Sequence, residues 1–295
     1  MNQAVLLMAH GAPGNLDEIE EYVTHIRHGR PLPPDQMAVI KDRYRQVGGS
    51  PLRQITERQA AALEARLAAA GTPRRVYVGM RHSHPFIHEI VERMAADGVD
   101  SLVTLCMAPQ FSRLTIGAYR QALEEAIGTR TMPFTMVSSF ARRPGLIRAF
   151  AARLAEARAA RPAALVLFTA HSLPERVMQE GDPYDFEAKE TARLTALASG
   201  LEDWRFAYQS QGMTAEKWMG PTVESRIDEL AARGIREIVV APIGFVCDHV
   251  EILYDVDVAF REFAQARGIA LSRTASLNDT AEFIDLLVDL VGERL

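Results

Sequence analysis

The chain has 295 residues, 48% of them hydrophobic and 24% charged, which is enough to bury a substantial core in about two domains and excludes small disulfide-stapled, fibrous and disordered classes. Its formal net charge is −5, with 33 Lys and Arg scattered along the chain, so nucleic acid, which needs a concentrated basic stripe, is excluded as a partner. The two cysteines, Cys106 and Cys247, each sit in a hydrophobic run and read as reduced thiols of a cytoplasmic protein.

In chain order, the apolar run at 4–8 predicts a buried strand ending in Ala9 and His10. It has no basic leader or signal-peptide core, and no run approaches the roughly 20 apolar residues that span a bilayer. The expectation is a cytoplasmic protein without stable membrane attachment. Arg27, His28, Arg30, Arg43 and Arg45 are predicted on two helical segments separated by prolines at 31–34. Such a group suits either an acidic small molecule or an ordinary solvated surface. Gly48, Gly49, Ser50 and Pro51 form a turn into a predicted helix at 51–70, whose free N–H groups favour an anion. The turn lacks the Gly-Lys-Ser/Thr ending of a P-loop.

A strand is predicted at 75–79 and a helix at 84–96. His84 and His88 have the spacing that holds zinc on a helix face, but no Glu follows the first histidine. They are expected to be partly exposed, with His82 alone pointing into a cleft. A strand at 101–107 and a helix at 115–126 follow, and Pro144 opens a helix that joins two halves within 141–160. Strands at 164–169, 205–208 and 237–241 flank a helix at 222–233 whose alternation repeats the first half.

The run at 4–13 resembles that at 164–174, each an apolar strand ending in Ala-His with a proline close behind. The segment at 97–109 resembles 233–242. The expected fold is therefore α/β, two similar Rossmann-like lobes with parallel sheets, at 1–145 and 146–295, with an active-site cleft between them. The last segment, 279–295, reads as an amphipathic helix capped by Asp279 that packs back on either lobe. Ligands of open α/β sheets bind beyond the carboxyl ends of the strands, so His10 and His171 are expected to face one cleft from opposite lobes.

His171 follows the strongest strand signal, and a histidine there is equally a proton acceptor, a metal ligand or a core residue bonded to a neighbouring carbonyl. Asp248, His249, Glu251 and Asp255 crowd a helix start where the dipole favours carboxylates. For Asp248 helix capping is expected. Glu251 and Asp255 share a face and suit a metal path, a proton relay or a solvated surface.

Eight segments, taken in order, resemble the ferrochelatases, specifically the short bacterial form that acts on coproporphyrin III. They are Tyr-Val-Thr-His-Ile-Arg-His-Gly-Arg at 22–30, Asp-Arg-Tyr at 42–44, Gly-Gly-Ser-Pro-Leu at 48–52, Pro-Gln-Phe-Ser at 109–112, Ala-His-Ser-Leu-Pro-Glu at 170–175, Tyr-Gln-Ser at 208–210, Trp-Met-Gly-Pro at 218–221 and Asp-His-Val-Glu-Ile-Leu-Tyr-Asp at 248–255. The resemblance implies that His171 and Glu251 handle iron and the pyrrole protons on one side of the porphyrin. It places His10, Arg27, Arg43, Tyr44, Ser50 and Tyr119 around the macrocycle, the arginines, Tyr44 and Ser50 toward its propionates. Fe(II) is then substrate, with no tightly bound cofactor and no iron–sulfur cluster, and the chain is expected to act as a monomer.

Two departures from the family pattern stand out. His10 stands where the soluble relatives carry a tyrosine facing the metal, and Ala259 stands where the acidic ladder from Glu251 through Asp255 often continues. Rival readings are a protoporphyrin IX ferrochelatase, a cobalt or nickel chelatase for another tetrapyrrole, and a non-catalytic haem carrier, which could dispense with Glu251.

Overall fold

The computed structural model describes residues 2–212 and 216–295. Strands β1 (Gln3–Ala9), β2 (Val76–Met80), β3 (Ser101–Cys106) and β4 (Phe134–Val137) form one sheet, in the order β2-β1-β3-β4. Strands β5 (Leu165–His171), β6 (Trp204–Gln209), β7 (Glu237–Pro242) and β8 (Ala270–Arg273) form a second in the order β6-β5-β7-β8. All six pairings are parallel. The two halves thus repeat one topology, and in each the strand order reverses beside the strand that ends in Ala-His.

Helices α1 (Ile19–Ile26), α2 (Pro34–Val47), α3 (Leu52–Ala69), α4 (Ile87–Ala96) and α5 (Ala118–Ile127) belong to the first half, and α6 (Pro144–Ala160) leads into the second. The second half carries α7 (Arg176–Gln179), α8 (Tyr184–Ala198), α9 (Val223–Ala232), α10 (Arg261–Gln265) and the last helix, α11 (Ala281–Gly292). Two π-helical segments, Arg113–Gly117 and Glu251–Phe260, run directly into α5 and α10.

The apolar alternation of the central strands explains the layering, because successive side chains of a strand point to opposite faces. In β1, Ala4, Leu6 and Met8 pack with α4 and α5, while Val5 and Leu7 face a larger core. In β5, Leu165 and Leu167 face α9, while Val166, Phe168 and Ala170 join that same larger core. Helices α3, α6, α8 and α11 fill it, so one apolar cluster runs through both halves.

Helix α11 buries Phe283, Ile284, Leu286, Leu287, Leu290 and Val291 and lies against α3 and α6. Asp279 does not cap it: the N-cap is Thr280, with no side-chain cap bond, and Asp279 instead accepts two hydrogen bonds from Arg58 of α3, at 3.0 and 3.1 Å. A guanidinium fork satisfies both carboxylate oxygens, which one helical N–H could not. The expected helix at 115–126 begins as the π-helical turn, and β4 and β8, missing from the sequence reading, are four-residue edge strands. Both cysteines are buried free thiols.

One glycine fixes the geometry at the mouth of the second sheet. A Cβ on Gly244, just after β7, would lie 2.8 Å from Ala170 Cα and 3.3 Å from His171 N, and backbone cannot give way as a side chain would. Gly244→Ala is therefore expected to lower stability by about 1–3 kcal/mol, read as a lower midpoint in a denaturant titration.

A candidate active site between the two sheets

The carboxyl ends of β1, β5 and β7 converge on one cleft. His10 follows β1 and His171 ends β5, while Glu251 opens the π-helix that follows β7. The wide winding of a π-helix is uncommon in a run of ten residues and recurs at functional sites.

His171 Nε2 lies 3.7 Å from Glu251 Oε2, and both side chains are about one third exposed, at 31% and 38%. His171 Nδ1 points at the Ser172 carbonyl, which only accepts, so Nδ1 carries the proton and Nε2 presents its lone pair to the carboxylate. Two electron-rich atoms at that distance favour a proton or a cation between them. Accordingly, burial opposes the imidazolium of His171, but the Glu251 charge and hydrogen bond, the Ser172 carbonyl and Asp255 outweigh it and raise the pKa. Burial likewise opposes the Glu251 carboxylate, yet His171 and His249 hold it well below its ordinary range.

His249 Nε2 is 3.5 Å from Glu251 Oε2 and its ring lies against Phe245. Asp255, one turn on, accepts a hydrogen bond from Ser210 at 2.5 Å. Burial and the neighbouring Glu251 push its carboxyl up to about 6, against the opposing effect of Ser210. The Tyr184 hydroxyl donates to the His171 carbonyl at 2.8 Å and fixes the strand end.

The opposite wall is built differently. Tyr22 donates its hydroxyl to the Gly11 carbonyl at 3.1 Å and sits 3.1 Å from His10 Nδ1. The Gly11 carbonyl also faces that nitrogen, at 3.4 Å. Both partners accept from Nδ1, which leaves the Nε2 lone pair of His10 open to the cleft. The His10 ring is reached by solvent but enclosed by protein, and loss of hydration lowers its pKa to about 4 although Glu251 across the cleft acts to raise it. The ring of His82, 6% exposed, lies behind it at 4.7 Å between centroids, and burial with the charges of His10 and Arg81 lowers its pKa to about 2.

Of the other residues expected around the macrocycle, Tyr44 is buried on α2 and pairs with Tyr22, and burial and Glu251 raise its pKa. Arg43 is exposed beside it, its guanidinium 5.2 Å from the Tyr254 ring centroid of the π-helix. Ser50 lies in the turn made by Gly48 and Gly49, both at positive φ, and its hydroxyl is buried without a partner. Tyr119 is buried under Arg81, whose guanidinium sits 5.8 Å from the ring centroid.

Arg27 lies directly after α1. Helix α1 ends at Ile26, so Arg27, His28 and Arg30 occupy the turn after it rather than a helix, and Arg27 donates to the Arg30 carbonyl at 3.1 Å. His28 at φ 53° and Gly29 at φ 82° make that turn. Asp248, expected as a cap, is held instead by Ser276, Asn278 and Arg273, at 2.8, 2.9 and 3.1 Å. Sequence reasoning passed over Arg81, which follows β2 directly, as well as Tyr22 and Tyr184; the strand-end position of Arg81 was a usable signal.

The ferrochelatase family model matches residues 2–295. The ferrochelatase of Acidobacterium capsulatum is 43% identical over 300 residues, covering 94% of this chain and 90% of that protein. The coproporphyrin III ferrochelatase of Bacillus subtilis is 36% identical over 301 residues, covering 99% and 97%. The solved structure of the sirohydrochlorin chelatase SirB from Bacillus subtilis subspecies spizizenii, in complex with cobalt, covers 99% of this chain and 95% of that one, with a TM-score of 0.60 at 9% identity. At that identity the likeness is one of fold, two similar α/β lobes.

The electrostatic coupling across the site gives a two-part expectation. Glu251→Gln removes the charge that raises both His171 and Asp255, so both pKa values should fall. Titration by NMR with labelled histidine and aspartate checks this, and an unmoved His171 would break the assigned pairing.

Proposed function

The chain belongs to the ferrochelatase family, and we propose that it inserts Fe(II) into coproporphyrin III to give Fe-coproporphyrin in haem biosynthesis. As a ferrochelatase-family enzyme it acts on a porphyrin and a metal ion; the identity of the porphyrin is the proposed part. The observation that carries the reading is the His171–Glu251 pair, whose facing lone pairs leave room for a proton or a metal ion within electrostatic reach of His10.

Insertion requires two pyrrole N–H protons to leave as four nitrogens replace water around the metal. His171 Nε2, whose lone pair faces Glu251 at the edge of the cleft, is the acceptor, and Glu251 stabilises the resulting imidazolium. The same two side chains are ligands suited to Fe(II). His10 faces the other side of the ring with Nε2 free, so we assign it as an axial ligand of the iron product. The partnerless Ser50 hydroxyl, the anion-favouring start of α3, the Tyr44 hydroxyl and the cations Arg27 and Arg43 suit propionates.

Four propionates use that set more fully than two, and the relatives named coproporphyrin III ferrochelatase at 36–37% identity support this choice. Fe(II) is a substrate in this scheme, with no resident cofactor or iron–sulfur cluster. The same reading has the chain acting as a monomer in the cytoplasm. Among the described residues, no helix is long and apolar enough to cross a membrane.

Anaerobic insertion assays with Fe(II) and either coproporphyrin III or protoporphyrin IX test the proposal. Turnover should favour coproporphyrin III and fall by roughly 10²-fold or more in His171→Ala. Equal or better turnover of protoporphyrin IX reverses the choice of substrate, and tight binding without turnover makes the chain a carrier. Arg43→Ala is expected to raise the porphyrin KM about tenfold, the effect of one charge-assisted hydrogen bond. His10→Ala should change the absorption spectrum of the bound iron product.

A further inference from the structure

The segment that follows β3 is joined to the second half of the chain by a row of hydrogen bonds. Gln110, 2% exposed, donates to the Thr191 hydroxyl at 3.2 Å and to the Ile243 carbonyl at 3.0 Å. Glu187 accepts from the Phe111 N–H and from the Ser139 hydroxyl, both at 2.7 Å. Asp182, buried in the turn between α7 and α8, accepts from the Ser112 hydroxyl at 3.0 Å and from the Arg113 N–H at 2.7 Å. Tyr184, Glu187 and Thr191 follow one another at three and four residues on α8 and share one of its faces, so the row runs along that helix.

Asp182 differs from the rest of the row in where its second oxygen goes. Oδ2 takes both donors from the first half, while Oδ1 accepts from the Tyr184 N–H at 3.0 Å, one of the N–H groups left free at the start of α8. The Tyr184 hydroxyl in turn donates to the His171 carbonyl. One carboxylate therefore joins the π-helical turn of the first half, which runs into α5, to the strand end that carries His171.

Resting on the ferrochelatase reading, we propose that Asp182 is a positioning residue for metal insertion: through Tyr184 it holds the strand end of His171 in register with the first half of the chain, which carries His10. Insertion needs that register, because the macrocycle lies between the two halves and His171 accepts a pyrrole proton only within hydrogen-bond reach, so a displacement of about 1 Å is costly. A carboxylate suits the place, since its two oxygens accept and neither donates. An amide offers one acceptor and one donor group. Asn at this position can serve the Arg113 N–H or the Tyr184 N–H, but it turns an N–H toward the other.

Asp182→Asn and Tyr184→Phe test the assignment, with Arg193→Ala, on the exposed side of α8, as a control. In anaerobic steady-state assays each of the two should lower kcat about tenfold, with the KM values for Fe(II) and porphyrin unchanged and the control unaffected. The double variant should be no slower than the slower single one, because both changes act through one contact. In porphyrin-free protein carrying isotope-labelled histidine, at fixed pH, the ring signals of His171 should shift in both variants while those of His84 stay in place. An unchanged kcat in either variant overturns the assignment, as do losses that multiply in the double variant. If Asp182→Asn does not fold, Ser112→Ala replaces it in the cycle, and its loss must vanish in the Tyr184→Phe background. A wild type that inserts no metal overturns the ferrochelatase reading instead; the His171 ring signals then decide, and if unshifted in both variants they overturn the assignment as well.

Discussion

An imidazole nitrogen and a carboxylate oxygen facing each other at 3.7 Å, with the other ring nitrogen committed to a carbonyl, are stable together only with positive charge between them. His171 and Glu251 are held in that relation by separate elements, a strand end and a π-helix, so the backbone around them has to be placed closely. Gly244 lets the chain leaving β7 pass against Ala170 and His171. Tyr184 holds the His171 carbonyl from α8. Neither contact touches the cleft, yet each decides where a cleft atom lies.

The approach to the π-helix is fixed by a polar network. Asp248 and Asn278 exchange two hydrogen bonds of 2.9 Å, Arg273 bridges Asp248 and Asp257, and Gln59 of α3 donates to the Asn278 carbonyl at 2.7 Å. Together with the Arg58–Asp279 pair, this ties the segment carrying Glu251 to the first half of the chain. Half-buried polar networks of this kind specify one arrangement because leaving any member unpaired is costly. The cleft width is thereby linked to the docking of α3 and α11.

The two walls differ in charge as a metal-inserting reaction requires. On one side Glu251 and Asp255 lie beside His171 and His249, and positive charge is welcome. On the other, burial keeps His10 and His82 neutral at physiological pH, with lone pairs available. The contrast between His171 and His10 arises because the charge and hydrogen bond of Glu251 outweigh burial at His171, while at His10 burial outweighs the pull of the same carboxylate.

Much of this was legible in order of residues. Apolar runs ending in Ala-His located β1 and β5, because strands buried on both faces must be apolar throughout, and the repeat of those runs implied two like sheets. His10 and His171 were expected to face one cleft because strand ends are where such sheets bind ligands, and Glu251 was singled out by its place after β7 and by the family resemblance. The four-residue edge strands escaped notice, since half-exposed segments that short carry no period. The π-helix did too, because ten residues do not separate its winding from that of an α-helix. Asp248 and Asp279 looked like caps when only their neighbours were in view. Their partners, Arg273, Asn278 and Arg58, come from elsewhere in the chain, as does the pairing of Tyr22 with His10. The sequence by itself determined the layers, the repeat and the strand ends, which depend on local hydrophobic pattern. Only the tertiary structure decided which nitrogen of each histidine is free and which acid has a countercharge, because these depend on distances between segments that the order of residues does not contain.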